Sequence, residues 1–318
     1  MEQQLGLGQS FERRHAATRR EQFLAEMERV VPWAELCAVI QLYYPVAGQG
    51  RRPIGLERML RIYFMQQWFT LSDPAMEDAL YDSRSMSTFA KLDLVRESAP
   101  DETTICKFRH LIEEHSLGAS LFAQVQSYLE RQGIVVSTGT IVDATLISAS
   151  ASTKNRQKQR DPEASATRKG PMWYFGYKGH IGMDRKTKVI HHYALTTAKV
   201  HDSRAIPQLL HGKETEFWGD SAYYHTMKHV RPVAPHARDR TMARGFAWNP
   251  MTPKQRHTNR QRAKIRGRVE HGFGVMKNLF GFRKTRYRGL QKNENRFAVL
   301  CTLANLYMQR RKLSIGSA

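Results

Sequence analysis

Residues 140–147 read Thr-Ile-Val-Asp-Ala-Thr-Leu-Ile, a run of β-branched and aliphatic side chains with one carboxylate, Asp143, set inside it. Such a run is a buried strand. An ionised carboxylate is costly to bury alone, so Asp143 needs a metal or several donors around it. The strand also marks a border. Before Gly133 the apolar residues recur at helical spacing, and after it β-type runs alternate with helical ones. The order predicts an all-helical N-terminal domain over 1–132 and an α/β domain with a mixed sheet flanked by helices over 133–318.

In the first half, Leu56, Met59, Leu60, Ile62, Tyr63, Phe64 and Trp68 share one broad face of a helix over 54–69. Asp73 followed by Pro74 predicts an N-cap and a first helical proline, opening a short helix to about Tyr81. Further helices are expected from Asp101 or Thr103 onward and over 117–131. In the second half, 148–170 is rich in Ser, Ala, Lys and Arg without apolar period, and predicts a mobile basic loop. Two β-runs, 174–183 and 189–197, form a hairpin through Asp184, Arg185, Lys186 and Thr187. Asp202 is expected to cap a helix over 203–210, and residues 216–219 to form a strand that delivers Asp220 at its end. One long helix over 254–280 and a closing helix over 293–311 complete the reading.

The chain of 318 residues carries 50 Lys and Arg against 29 Asp and Glu, a formal charge of +21, which points to a polyanionic partner. Its mean hydropathy is −0.56, and no run reaches the ~18 apolar residues of a bilayer span. The first twenty residues lack the basic and apolar regions of a secretory leader, so a cytoplasmic protein is expected. Cys37, Cys106 and Cys301 form no CxxC pair and read as buried thiols, not as a disulfide framework or zinc ribbon.

The charge is concentrated. Residues 254–292 hold thirteen Lys or Arg and a single acid, Glu270. Like charges at this density repel unless a polyanion neutralises them, and a phosphate backbone is such a polyanion. Phe280, Phe282 and Tyr287 beside Arg288 suit stacking on unpaired bases, with packing on the sheet as the alternative.

On a helix, Val269, Phe273, Met276 and Phe280 form an apolar stripe with Glu270 beside it, and Arg266 and Lys277 fall at −4 and +7 on nearly the same face. A plain Arg266–Glu270 ion pair is the bland alternative. Asp143, Asp220 and Glu270 together supply three hard oxygen donors, the set that suits Mg²⁺ or Mn²⁺. Two such ions ~3.5–4 Å apart serve an in-line phosphoryl transfer. Asp184, Asp202 and Glu294 are accounted for by turns and caps. His225 and His229 have zinc spacing but no following Glu and no third ligand. No Walker A loop, GxGxxG or GxSxG is present, so no nucleotide cofactor is expected.

Several segments resemble the bacterial DDE transposases of the insertion-sequence-five type. They are TIVDATLI around Asp143, WYFGYKGHIGMD at 173–184, TTAKVHDS ending at Ser203, WGDSAYY around Asp220 and RGRVEHGFGVMK around Glu270. YRGL at 287–290, the closing helix with Asn305, and the upstream RRPIGLERMLRIYFMQQWFTLSDPAMEDALYD and PDETTICKFRHLI extend the resemblance over nearly the whole chain.

The resemblance implies an RNase H-like core with Asp143 on the first strand, Asp220 on the fourth and Glu270 on a late helix as catalytic, metal-binding triad. It further implies Arg266 and Lys277, within R-x3-E-x6-K, as contacts to DNA phosphates. A Tyr that the related signature carries is Ala263 here, so its role does not transfer. Only 50 residues separate Asp220 from Glu270, little room for the large β-insertion of some relatives. The implied reaction is Mg²⁺-dependent hydrolysis at insertion-sequence ends followed by 3′-hydroxyl attack on target DNA, with two ions and at least a dimer on double-stranded DNA. Candidate DNA contacts are Arg262, Arg266, Arg268, Lys277, Arg283, Arg286, Arg288 and Lys178, with Thr103, Thr104, Lys107 and Arg109 as candidate readers of the terminal repeats. The alternatives are a non-catalytic DNA-binding descendant and a metal-dependent nuclease without strand transfer.

Overall fold

The computed structural model describes residues 16–48 and 52–315; residues 1–15, part of the stretch read for a leader, lie outside them. Among the described residues seven helices precede the sheet: α1 (Arg19–Val30), α2 (Trp33–Gln41), α3 (Leu56–Phe69), α4 (Asp73–Asp82), α5 (Arg84–Phe89), α6 (Glu102–Glu114) and α7 (Leu117–Arg131). Their starts follow from capping chemistry. Thr18 and Glu21 form a reciprocal capping box on α1, and Asp101 accepts the Thr104 N–H at 2.7 Å on α6. α3 is the axis of this half, buried all round from Met59 to Trp68. Its Arg61 is tolerated inside because Glu28 and Glu57 pair with it and the Trp33 ring lies 4.2 Å from its guanidinium carbon.

Six strands follow: β1 (Gly139–Ser148), β2 (Ser165–Lys169), β3 (Met172–Asp184), β4 (Ile190–Thr197), β5 (Glu216–Trp218) and β6 (Arg238–Asp239). The order is β2-β3-β1-β5-β6, with β4 also on β3; β1 is antiparallel to β3 and parallel to β5. This mixed sheet flanked by helices, behind a helical N-terminal region, is the RNase H-like α/β arrangement expected. The helices α8 (Met227–Val230), α9 (Pro253–Arg266), α10 (Arg268–Gly274) and α11 (Leu290–Ile315) complete it.

α11 packs on α7, α1 and β4 at once, and one hydrophobic core runs from Leu24 and Phe64 through Phe297 and Leu300 to Ile141 and Ile181. Gly179 makes this possible, since a Cβ there would lie 2.7 Å from the Phe297 ring. A smaller core on the opposite face gathers Val142, Ala194, Ile206, Phe217 and Tyr223. No helix among the described residues is long and apolar enough to cross a membrane.

Several expectations need correction. Ser72, not Asp73, caps α4, because its hydroxyl accepts the Ala75 N–H. The basic loop contains a strand, β2, whose backbone pairs with β3 despite its polar side chains; Asp220 therefore follows the fifth strand in chain order, not the fourth. The helix expected over 203–210 is two short 3-10 turns, and His201, not Asp202, caps the first. The long helix over 254–280 breaks at Gly267 and ends in a π-helical turn over Val275–Leu279. His225 stands at φ +63 outside the four-residue α8, so it and His229 do not share a helical face. Cys301 is buried, whereas Cys37 and Cys106 are half-buried.

Candidate active site

β1 is paired with β5 only as far as Ile141, which pairs with Trp218 at the end of β5. Two residues on, Asp143 still faces Ile181 on β3 but has an open flank where β5 has stopped. The chain leaving β5 turns there. Asp220 sits in that turn and holds it, its Oδ1 accepting the Ala222 N–H at 2.8 Å. Glu270 arrives from α10, anchored by buried Val269 and Phe273.

Arg266, the last residue of α9, joins two of these acids. It donates through Nη2 to Asp143 Oδ2 at 2.9 Å and through Nη1 to Glu270 Oε1 at 2.5 Å. The helix break at Gly267 leaves Arg266 and Glu270 one turn apart. The bland Arg266–Glu270 pair therefore exists, as part of a larger arrangement that reaches the strand acid 123 residues away.

Asp143 is 8% exposed. Burial pushes its carboxyl up to about 6; Arg266 and the Ala144 N–H oppose that, while the nearby Asp220 and Asp202 charges add to it. Asp220 and Asp202 thus repel a charge on Asp143, and the Arg266 guanidinium opposes them.

Two family models match the chain. One, described as "Transposase DDE domain", covers residues 136–306, more than half the chain; the other, "Transposase domain (DUF772)", covers residues 12–111. The chain belongs to the DDE transposase family. No solved structure matches it. The transposase is accordingly an enzyme of the polynucleotidyl transferase and endonuclease class that acts on DNA, and its family works with a divalent metal.

Whether the residues present fit such a metal is answered by the donor set. Among the described residues no three His, Cys, Asp or Glu side chains gather round one point. The oxygen donors of Asp143, Asp220 and Glu270 are nevertheless of the hard type a Mg²⁺ ion takes. The site fits the group.

Asp202 belongs to this neighbourhood, although its place in the sequence predicts a cap. With the cap taken by His201, its carboxylate instead accepts from Lys178 Nζ at 2.9 Å, and its charge reaches Asp143 and Tyr223. Tyr223, 1% exposed, has a hydroxyl with no hydrogen-bond partner among the described residues, and the charges of three aspartates reach it. The WGDSAYY motif contained that tyrosine, but nothing in spacing alone distinguished it from core.

The candidate DNA contacts divide. Lys178 is tied to Asp202 and the Val200 carbonyl. Arg109 is held by Asp73 and Glu113 beneath the Tyr287 ring, and Arg286 spends its guanidinium on the Thr70 and Leu71 carbonyls. Lys277 donates to Leu146 O at 2.7 Å, its ammonium disfavoured by burial and by Arg283 and Lys169 nearby. Arg262, Arg268 and Arg288 donate to the carbonyls of Thr241, Arg185 and Arg160, and Arg283 to the Asn278 side chain. Lys107 is exposed on α6, with Thr103 exposed and Thr104 half-buried. Phe280 and Phe282 are buried in the core and Tyr287 is half-buried under arginines, so the expected stacking on bases gives way to packing.

Proposed function

We propose that this transposase, of the insertion-sequence-five type, hydrolyses the phosphodiester at its element's ends and then joins the freed 3′-hydroxyls to target DNA. The observation that carries the reading is the forked contact of Arg266, which brings strand acid Asp143 and helix acid Glu270 to one place beside Asp220. Asp143, Asp220 and Glu270 would hold one or two Mg²⁺ or Mn²⁺ ions. When bound, the metal would supply Lewis-acid stabilisation of charge developing on the phosphate and would lower the pKa of the attacking water or hydroxyl.

The chain's own part is positioning and charge. Arg266 balances the acids it pairs with, and on DNA entry its guanidinium would exchange a carboxylate for a phosphate oxygen. Glu270, 63% exposed at its side chain, stands at the mouth. Asp143 lies at the base on a strand that cannot shift, since it is paired along its length with β3. Hydrolysis and strand transfer need the same arrangement with different nucleophiles. Residues 133–318 would form the catalytic domain and 1–132 the helical domain that reads the terminal repeats, on paired ends held by at least two protomers in a nucleoid-associated complex.

The test is a cleavage and strand-transfer assay on labelled DNA bearing the element's flanking ends, with Mg²⁺, Mn²⁺ or EDTA, comparing wild type with Asp220→Ala. Metal-dependent 3′-hydroxyl ends joined to target by wild type alone are expected. Equal cleavage by Asp220→Ala would remove that residue from the site, and cleavage without joining would make the protein a nuclease.

A further inference from the structure

The segment 148–175 carries no role in the site, yet its construction is specific. β1 leaves β3 at Gly176 and β4 leaves it at Tyr177, so residues 172–175 pair in ladder only with β2. The sheet thus continues as a two-stranded ribbon about 13 Å beyond its edge, at ~3.3 Å per residue. Gly176 sets the departure, because its φ is +156 and a Cβ there would lie 2.1 Å from the Ile147 carbonyl oxygen.

The two faces of the ribbon follow from its register. Arg168 stands opposite Trp173 and Ala166 opposite Phe175; Lys169 stands opposite Met172 and Thr167 opposite Tyr174. On the first face Arg160 lies 5.7 Å from the Phe175 ring, and nearer the tip Trp173 stands opposite Arg168, so each aromatic on this face has a cation beside it. Trp173 is 70% exposed and Met172 60%, an expensive display of apolar surface for a free hairpin.

Charge selects the occupant. The acids of this segment are already engaged: Asp161 is buried against the Tyr177 hydroxyl at 2.6 Å, and exposed Glu163 accepts the Leu290 N–H at 2.7 Å at the start of α11. Lys154, Arg156, Lys158, Arg160, Arg168 and Lys169 are all exposed. A ribbon of two strands is also an object that the major groove admits.

We propose that the β2–β3 ribbon is a DNA-contacting arm that enters a groove of the duplex beside the reacting phosphate, with Arg168 and Lys169 on the backbone and Trp173 against bases. The ribbon comes near the site: the Lys169 charge, beside its closing turn, reaches Lys277, whose ammonium is bonded to Leu146 on the same strand as Asp143. The arm rests on the DNA-cleaving reading above, but its test does not require cleavage.

Binding of the full chain to a fluorescein-labelled duplex is measured in EDTA over a range of salt. The Arg168→Ala/Lys169→Ala double variant should lose about two units of the log K against log salt slope, as two phosphate contacts would. Trp173→Ala should weaken binding about tenfold with the slope unchanged, and Trp173→Phe should restore it. All these side chains are exposed, so thermal melting should match wild type. Variants that bind with wild-type affinity and slope overturn the proposal. So does intact DNA binding accompanied by loss of self-association in sedimentation, which would make the ribbon an arm toward a second copy of the chain. Loss of activity by Asp220→Ala leaves these readings untouched, so the arm and the catalytic reading fail separately.

Discussion

Asn305 on α11 takes both backbone polar groups of Ile190 on β4: its Oδ1 accepts the Ile190 N–H and its Nδ2 donates to the Ile190 carbonyl, each at 2.8 Å. Ile190 sits where the β3–β4 register shifts, and the fully buried amide satisfies groups that the ladder does not. Asn305→Ala should therefore strand a buried N–H, while the Ile190 carbonyl keeps Gln126 as a donor. The expected loss is about 2–4 kcal/mol, combining the unsatisfied donor and the void. Urea unfolding should show a lower midpoint with an unchanged m-value.

Asp143→Asn should separate stability from activity. Because the folded carboxyl titrates at about 6, above its ordinary 3.8, ionising it opposes folding. That cost appears as pH rises from 3.8 to 6 and is complete above it. At pH 7 in EDTA the variant should be as stable as wild type or more so, by on the order of 1–3 kcal/mol after the lost Arg266 ion pair is set against the relieved burial. Cleavage with Mg²⁺ should vanish while duplex binding persists. A destabilised variant that keeps its activity would contradict both halves.

His180 should act in the opposite sense over nearly the same range. It is fully buried, its Nε2 bonds Thr196 Oγ1 at 2.8 Å, and burial pushes its pKa down to about 4. A base whose folded pKa lies below its unfolded 6.5 leaves the unfolded state holding more protons, so stability is lost as pH falls from 6.5 toward 4. Replacing His180 by Gln should flatten the acid side of the stability–pH curve, whereas Asp143→Asn should steepen it. Denaturant midpoints between pH 4 and 7 distinguish the two.

Glu270→Gln should leave folding unchanged within about 0.5 kcal/mol, because its side chain is largely exposed and its bond to Arg266 is a surface pair. Metal-dependent cleavage should nonetheless fall by at least a hundredfold, about 2.7 kcal/mol of barrier. Single-turnover rates at saturating DNA, beside thermal melting, give both numbers. Full activity would reduce Glu270 to an ion-pair residue.

How much of this was legible in the sequence depended on whether a residue's surroundings were local. Asp143 announced itself because its own strand neighbours were all apolar, and Glu270 because its neighbours were all basic. The helices α3, α6 and α7 were visible through period and caps. What escaped was set by contacts distant in the chain. Polar β2 became a strand only because β3 offered a free edge. Asp202 stands in sequence where a cap of 203–210 belongs, yet His201 beside it takes the Ser203 N–H. The arginines of 254–292 looked uniformly available, whereas Arg286 and Arg262 had carbonyls waiting on segments no periodicity could bring near. Aromatics there were divided between stacking and packing, and the apolar face of α11 decided the matter.

The place of α11 between the helical half and the sheet has a consequence for synthesis. A nascent chain emerges from its amino end, so every earlier helix and all six strands are made before the wall against which both halves pack. Until residues near Phe297 and Leu300 clear the ribosome, α1, α7 and β4 keep apolar faces uncovered. Neither half can finish folding vectorially, and a messenger cut short of codon 290 yields two unfinished surfaces rather than a usable N-terminal fragment.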